Sequence, residues 1–277
     1  MSITLLLILD IISTVSILFI IATGLAIIFG LMGVVNLAHG HFVMLGAYTA
    51  LLIVQNNLNP WLALIAAPLI LAVVGLFVER FLIRMLYGKI MESILATWGL
   101  GIVITQIVEL IFGKDFKQVP IPIDTTLLNI DYSFYRLLII AFAIVLLIVL
   151  ALIERRTNLG ITVRAVIANH TLASTLGVNI GRVYQMTFIA GSALAGLAGA
   201  IIAPLVTVYS NMGIGYVVNA FLAILVGGAG SLFGLVGGST LLAGSDSIVS
   251  FWADKVWGSI FLILVAMVAM KIKQLRD

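Results

Sequence analysis

Runs of about 20 apolar residues, the length a helix needs to cross a bilayer, recur from one end of this sequence to the other. Spans are expected near residues 11–30, 34–54, 61–83, 91–112, 134–153, 183–206 and 250–271. Backbone in lipid must satisfy its own hydrogen bonds, so such runs are helical. The stretch 216–247 is too long for one ordinary span and carries Gly227, Gly228, Gly230, Gly234, Gly237 and Gly238. Two short or broken helices meeting near Gly228–Gly234 fit it better. The expected fold class is an all-α polytopic membrane protein. It has about eight transmembrane segments, broken or re-entrant helices included, in a single domain over 1–277.

Composition excludes the other classes. Apolar residues make up 63% and charged residues 9%, where a soluble domain has roughly 45–50% and 25%. A water-soluble globule, a disordered chain and a nucleic-acid binder do not fit. Cysteine is absent, which removes disulfides and thiolate metal sites, and three scattered His are too few for a structural zinc site. The first segment lacks a basic leader and a small-residue cleavage signal. It reads as a first membrane helix, with Asp10 marking the membrane edge.

Orientation follows from the cations, which favour cytoplasmic loops. Arg80, Arg84 and Lys89 flank one connection, Arg155, Arg156, Arg164 and Arg182 lie in another, and Lys271, Lys273 and Arg276 end the chain. All three groups are expected on the cytoplasmic side. The loop 113–133 mixes Lys114 and Lys117 with Asp115, Asp124 and Asp131, and is placed outside. The parity closes if 216–247 crosses and returns, with the N-terminus outside and the C-terminus inside.

The polar segment 154–182 carries Val163, Val166, Ile167, Leu172 and Leu176 at roughly helical spacing. Thr157 or Asn158 is suited to cap a helix there, and Gly177 to end it. One amphipathic helix on the cytoplasmic face is expected, either a plain surface connection or a working part.

Several chemistries are missing. No GxxxxGK[ST] loop occurs, so nucleotide binding by that route is excluded. H-E-x-x-H and G-x-S-x-G are absent too. Intramembrane ionisable groups are few: His39, His41, and at the margins Glu109 and Asp246. An enzyme or a proton pump would show more of them. The chain is therefore read as a transport subunit, not an enzyme, with no metal site and no nucleic-acid partner.

The most informative stretch is Gly24 through Tyr48, where Gly24, Gly30, Gly33, Gly40 and Gly46 interrupt an apolar run that holds Asn36, His39 and His41. Glycine permits close helix approach or an unwound turn, and unwound backbone is tolerated only against protein or a watery cavity. Residues 36–40 are thus a candidate for a translocation path or gate. The competing reading is a helix–helix contact held by polar glue. Thr97, Gln106, Asn36 and Asn219 are candidate hydrogen-bonding lining. Trp98, Phe42, Met44 and Tyr48 are candidates for narrowing the path, or else ordinary packing. Glu109 is expected at the outer headgroups and Asp246 at an outer mouth. The small residues from Gly191 to Gly199 read as close packing, within the chain or between subunits.

The run N-x-A-H-G-x-F-x-M-x-G-A-Y at 36–48 resembles the signature of permease subunits of ABC importers for branched-chain amino acids, urea and short amides. The resemblance continues through Leu95-Ala96-Thr97-Trp98-Gly99, residues 159–200 and Gly227-Gly228-Ala229-Gly230-Ser231, and covers essentially the whole chain. It implies a single permease domain that pairs with a second homologous permease subunit. Two ABC ATPase subunits would dock on the cytoplasmic face, and a separate extracytoplasmic solute-binding protein would deliver the solute. ATP and Mg would sit on the partners, with no cofactor on this chain, in a bacterial or archaeal inner membrane. The resemblance also makes 159–182 the coupling element, with Arg164, Ala165, Asn169, His170 and Gly177 on matching positions.

Two cues bear on the solute. In the family's amino-acid branch Glu-Asp tends to stand where this chain has Asn169-His170, and an aliphatic residue where it has Trp98. The urea and amide branch tends to carry Asn with a polar neighbour, and Thr-Trp-Gly. His41 stands where many relatives carry Glu, and the tail KIKQLRD lacks their Pro-Gly ending. The sequence leans to urea or a short amide, with branched-chain amino acid import by the same architecture as the alternative. An ion-coupled secondary transporter would want a mid-membrane carboxylate relay, and a passive channel a repeated half-helix motif. Neither is evident.

Overall fold

The computed structural model describes residues 3–123, 132–228 and 230–276. Asp124 and Asp131 of the expected outer loop, and Ala229 of the glycine turn, lie outside the described residues. The regular elements are helices: α1 (Ile3–Met32), α2 (His39–Gln55), α3 (Ala63–Phe81), α4 (Ile90–Phe112), α5 (Phe134–Arg156), α6 (Asn158–Ala168), α7 (His170–Thr175), α8 (Ile180–Ile202), α9 (Gly213–Gly227), α10 (Leu232–Trp252) and α11 (Lys255–Arg276). Seven of them are long and apolar enough to cross a membrane: α1, α3, α4, α5, α8, α10 and α11. With 17 and 15 residues, α2 and α9 are shorter. At about 1.5 Å per residue they fall short of the roughly 30 Å hydrocarbon core.

The apolar stretch 216–247 divides where its glycines cluster. Gly228 and Gly230 adopt φ of 94° and 88°, which closes the turn between α9 and α10. The two helices then run antiparallel, with Gly227 against Gly234 and Ala223 against Gly238. The stretch doubles back on itself at this turn. The expected span 34–54 changes in a similar way: residues 33–38 are not helical, and α2 begins only at His39. Gly33, with φ 63°, makes that break possible.

Charges sort to the two ends of the bundle. Asp10 pairs with Arg136, Asp246 with Lys255, and Glu109 with Lys114 at 3.6 Å, all at the end that carries residues 113–123. Arg80, Arg84, Lys89, Arg155, Arg156, Arg164, Arg182, Lys271 and Lys273 lie at the other end. By the positive-inside preference this second end faces the cytoplasm.

The middle of the bundle is α8, which packs on α1, α2 and α3. Its small residues Gly191, Ser192, Ala195, Gly196, Ala198 and Gly199 are buried against those helices. This stripe therefore packs inside the chain. A Cβ placed on Gly46 of α2 would strike the Gly196 carbonyl, and one on Gly199 would strike the Val43 carbonyl. Between helices in lipid there is little hydrophobic drive, so the attraction comes from close van der Waals contact, which small residues allow. On the periphery, α5 leans on α1, and α11 on α10 and α9. Their outward faces, and that of α4, are apolar and exposed.

Gly46→Leu and Gly199→Leu should each destabilise the chain by about 3 kcal/mol or more, the upper part of the overpacking range, because the atom met is backbone that cannot rotate away. Gly99→Ala, with open space around it, should be neutral or stabilising by up to about 1 kcal/mol. Unfolding of the purified chain in detergent reads all three.

Candidate functional site

The polar residues of the first signature sit where α1 turns into α2. Asn36 Oδ1 accepts from the Ala38 backbone N–H at 3.1 Å and its carbonyl accepts from His39 N–H at 3.3 Å, which starts α2. His39 Nε2 donates to the Ile21 carbonyl at 3.0 Å, tying α2 to α1. Thr97 of α4 accepts from the Leu37 N–H at 3.0 Å and donates within its own helix to the Ser93 carbonyl at 2.7 Å. Three helices are thus stitched through one non-helical turn. Backbone freed by the break finds side-chain partners, as a buried turn in lipid requires.

Asn36, His39, His41, Met44, Tyr48 and Thr97 are all buried within the chain. The ring of His41 lies against Gly101 of α4, where a Cβ would collide with it. None of the six lines the cavity between α1, α5, α6 and α10, or the small one bounded by Ala50, Pro60 and Tyr135. Within this chain their side chains fill the space between helices. Phe42 follows suit, edge-on to Phe188 with ring centroids 6.3 Å apart. The other expected lining points outward. Trp98 is 58% exposed, Gln106 lies on the same face of α4 two turns on, and Asn219 on α9 is half-exposed. The structure therefore does not bring the expected lining together. It splits it into a buried knot and an outer set.

At the outer end, Glu109 accepts from Ser210 Oγ at 2.8 Å in addition to its Lys114 pair. Asp246, buried inside α10, is held by Lys255 and by Ser250. Both carboxylates lie at the outer end, where they brace neighbouring segments.

At the cytoplasmic end the expected single helix is two. Thr157 caps α6, its Oγ1 accepting from Gly160 N–H at 3.2 Å. Gly160 packs so tightly on the end of α5 that a Cβ would strike the Glu154 carbonyl. Asn169, with φ −162°, interrupts the helix and caps α7 through its Oδ1, accepting from Leu172 N–H at 2.9 Å. Gly177, φ 88°, ends the segment, and Asn179 caps α8. An Asn that can serve as an N-cap inside an otherwise helical pattern was the available signal for the break. Arg164, Ala165, Asn169, His170 and Gly177 are all exposed here, together with the apolar Leu172 and Leu176.

One cluster escaped the sequence reading. Glu79, at the cytoplasmic end of α3, is 1% exposed. One carboxylate oxygen accepts from the Tyr87 hydroxyl and the other from Gln185 Nε2 at 2.8 Å. Tyr87 stacks edge-on against Tyr184, with centroids 4.9 Å apart. Burial, followed by the bond to Glu79, pushes the Tyr87 hydroxyl well above its ordinary pKa. The cluster joins the foot of α3, the connection to α4 and the foot of α8. Glu79 precedes Arg80 in the chain and looks like one more loop-flanking charge, so nothing in the sequence marks it as buried.

The chain matches, over residues 7–270, the family model described as the permease component of branched-chain amino acid transport systems. It is 28% identical to the high-affinity branched-chain amino acid transport system permease protein BraD of Pseudomonas aeruginosa, over 88% of each chain. It is 28% identical to the permease protein LivH of the same kind of system in Escherichia coli K12, over 90% of this chain and 88% of that one. It is 29% identical to the Escherichia coli K12 permease protein LivM, over 87% of this chain and 63% of that one. Among solved structures, PsaBC from Streptococcus pneumoniae in complex with Fab matches with a TM-score of 0.51 at 13% identity, covering 95% of this chain and 89% of that chain. This last likeness is one of fold.

Thr97→Val should cost about 1–3 kcal/mol, because it leaves the Leu37 N–H without its acceptor. Trp98→Ala, on the outward face, should change stability by less than about 1 kcal/mol. Equal losses for the two in detergent unfolding would contradict the division into knot and outer set.

Proposed function

The chain belongs to the family of permease components of branched-chain amino acid transport systems, and from that premise we propose that it forms half of the membrane pore of an ATP-driven importer of branched-chain amino acids. The observation that carries the reading is the family match across residues 7–270, joined by relatives of nearly equal length whose names specify that solute class. The lean toward urea or a short amide is given up. Of its two cues, Asn169 caps a helix and so has a local structural reason, and Trp98 is an outward-facing residue of α4 that suits either solute class.

The same premise supplies the partners: a second homologous permease subunit, two ATPase subunits on the cytoplasmic face and an extracytoplasmic solute-binding protein, in a bacterial or archaeal inner membrane. That LivH and LivM of one bacterium both align with this chain supports a pore built from two homologous permeases. A path between two subunits is lined by side chains that face out of each. On this reading Trp98, Gln106 and Asn219 remain lining candidates, and the buried knot holds the turn.

Coupling is assigned to α6 and α7. Arg164, Ala165, Asn169 and His170 stand exposed beside Leu172 and Leu176, a mixed polar and apolar surface suited to a protein partner. Gly177 and Asn179 join this surface directly to α8, the packed post of the subunit. Movement of α6–α7 by ATP-driven closure of the ATPases would then rock α8 with the helices seated on it.

In the complete complex reconstituted with its binding protein, leucine, isoleucine or valine should stimulate ATP hydrolysis and enter the vesicles, while urea and acetamide do neither. Stimulation by urea alone would overturn the solute assignment. Arg164→Glu and Gly177→Trp should lower uptake at least tenfold while the subunit still inserts and assembles. Normal uptake in both would remove α6–α7 from coupling. Trp98→Ala should alter the competition profile among the branched-chain amino acids, and an unchanged profile would take Trp98 out of the path.

A further inference from the structure

At the cytoplasmic end of α3 a carboxylate is buried with no cation paired to it. Glu79 is 1% exposed and, among the described residues, makes no ion pair. Taking a carboxylate out of water is costly unless hydrogen bonds replace the water. Here both oxygens accept from neutral donors on other elements: one from the Tyr87 hydroxyl, the other from Gln185 Nε2 at 2.8 Å. An apolar side chain would fill this place without the cost of burying a charge, but it could not hold two separate donors in fixed directions.

The two donors belong to different parts of the subunit. Gln185 lies in the second turn of α8, just beyond the Asn179 cap. This is the end of α8 that receives α6 and α7 through Gly177 and Asn179. Tyr87 follows the short 3-10 turn Ile83–Leu86, where Ile83 is fully buried, and its ring stands edge-on to Tyr184 of α8. Three residues on, α4 begins at Ile90. Gly88, between them, takes φ 76° with open space around it. No packing of Gly88 fixes the connection, so the placement of Tyr87 sets where α4 starts. Helix α4 carries Trp98 and Gln106, two of the outward lining candidates, and beyond the 3-10 turn its main neighbour is α2.

We propose that Glu79 is a positioning residue for transport: by holding Tyr87 and Gln185 together, it fixes the start of α4, and with it Trp98 and Gln106, relative to the foot of α8. Glu79 touches no solute and acts through Tyr87. A carboxylate suits the task, because loosening either bond leaves a buried charged oxygen without a donor, which costs more than losing a neutral acceptor. The start of α4 and the foot of α8 therefore keep one spacing. The inference rests on the importer reading and on the coupling role of α6 and α7.

The test uses the complete complex with its binding protein in vesicles and reads leucine taken up per ATP hydrolysed. Tyr87→Phe keeps the ring against Tyr184 and removes one bond to Glu79. Glu79→Gln keeps the shape but turns an amide N–H toward one of the two donors. Each should lower the ratio several-fold while basal ATP hydrolysis is unchanged. In Glu79→Gln/Gln185→Glu the new amide accepts from Tyr87 and donates to the new carboxylate, so the ratio should recover. A role confined to stability would lower the amount of assembled complex and leave the ratio alone. Because the chain has no cysteine, Glu92→Cys and Arg182→Cys, both at exposed positions, place two spin labels at the start of α4 and the foot of α8. Their distance should stay narrow and unchanged on ATP binding in the wild-type background, and broaden with Tyr87→Phe. An unchanged ratio in Tyr87→Phe, no recovery in the transposed pair, or a label distance indifferent to Tyr87→Phe would overturn the proposal while the importer reading stands. A wild-type complex that does not couple leucine uptake to ATP hydrolysis would overturn both.

Discussion

Backbone-to-backbone contact along α8 is the constraint on which the rest of the subunit depends. Gly196 and Gly199 lie against α2 so closely that no side chain fits between, and Gly191 meets Gly24 of α1 in the same way. In lipid, helices gain little by hiding apolar surface from one another, so intimate contact has to supply the association. Once α1, α2 and α3 are seated on α8, the bundle has no slack. The polar side chains between the helices are packed as spacers and ties.

The cytoplasmic segment attaches to this packed post. The cytoplasmic pieces α6 and α7 are small, capped by Thr157 and Asn169, and joined to α8 through Gly177 and Asn179. The Glu79, Tyr87 and Gln185 cluster ties the same foot of α8 to α3 and to the connection before α4. A carboxylate is costly to bury unless hydrogen-bonded. With both oxygens occupied, Glu79 stabilises one geometry of that junction and penalises others.

The site was legible in outline and not in detail. The residues from Asn36 to Tyr48 stood out correctly as a break in a membrane run, since polar residues and glycine in a span always need an explanation. Two explanations were open, a watery path or a helix contact, and both predict the same residue types. The bonds of His39 to Ile21 and of Thr97 to Leu37 tie the turn into the chain, while Asn36 Nδ2, His39 Nδ1, His41 Nδ1 and the Tyr48 hydroxyl are buried with no hydrogen-bond partner among the described residues, so helix contact accounts for only part of the polar groups there. Asn169 shows the reverse case. Its position in a run of helical spacing looked like part of one surface helix, while its extended backbone and its cap make it a hinge between two.

The sequence by itself determined that the chain crosses a membrane many times, where 216–247 breaks, which end faces the cytoplasm and to which family it belongs. Each of these follows from local properties: the length of an apolar run, the φ that only glycine takes easily, the side on which Lys and Arg accumulate, and a contiguous signature. The tertiary structure alone decided which polar residues are ties and which face outward, that Glu79 is buried, and that a mainly apolar slot remains between α6 and the ends of α1 and α5. Those depend on which helices meet and at what rotation. Rotation is set by the sum of many weak contacts between distant segments, and no residue carries that sum in its own identity.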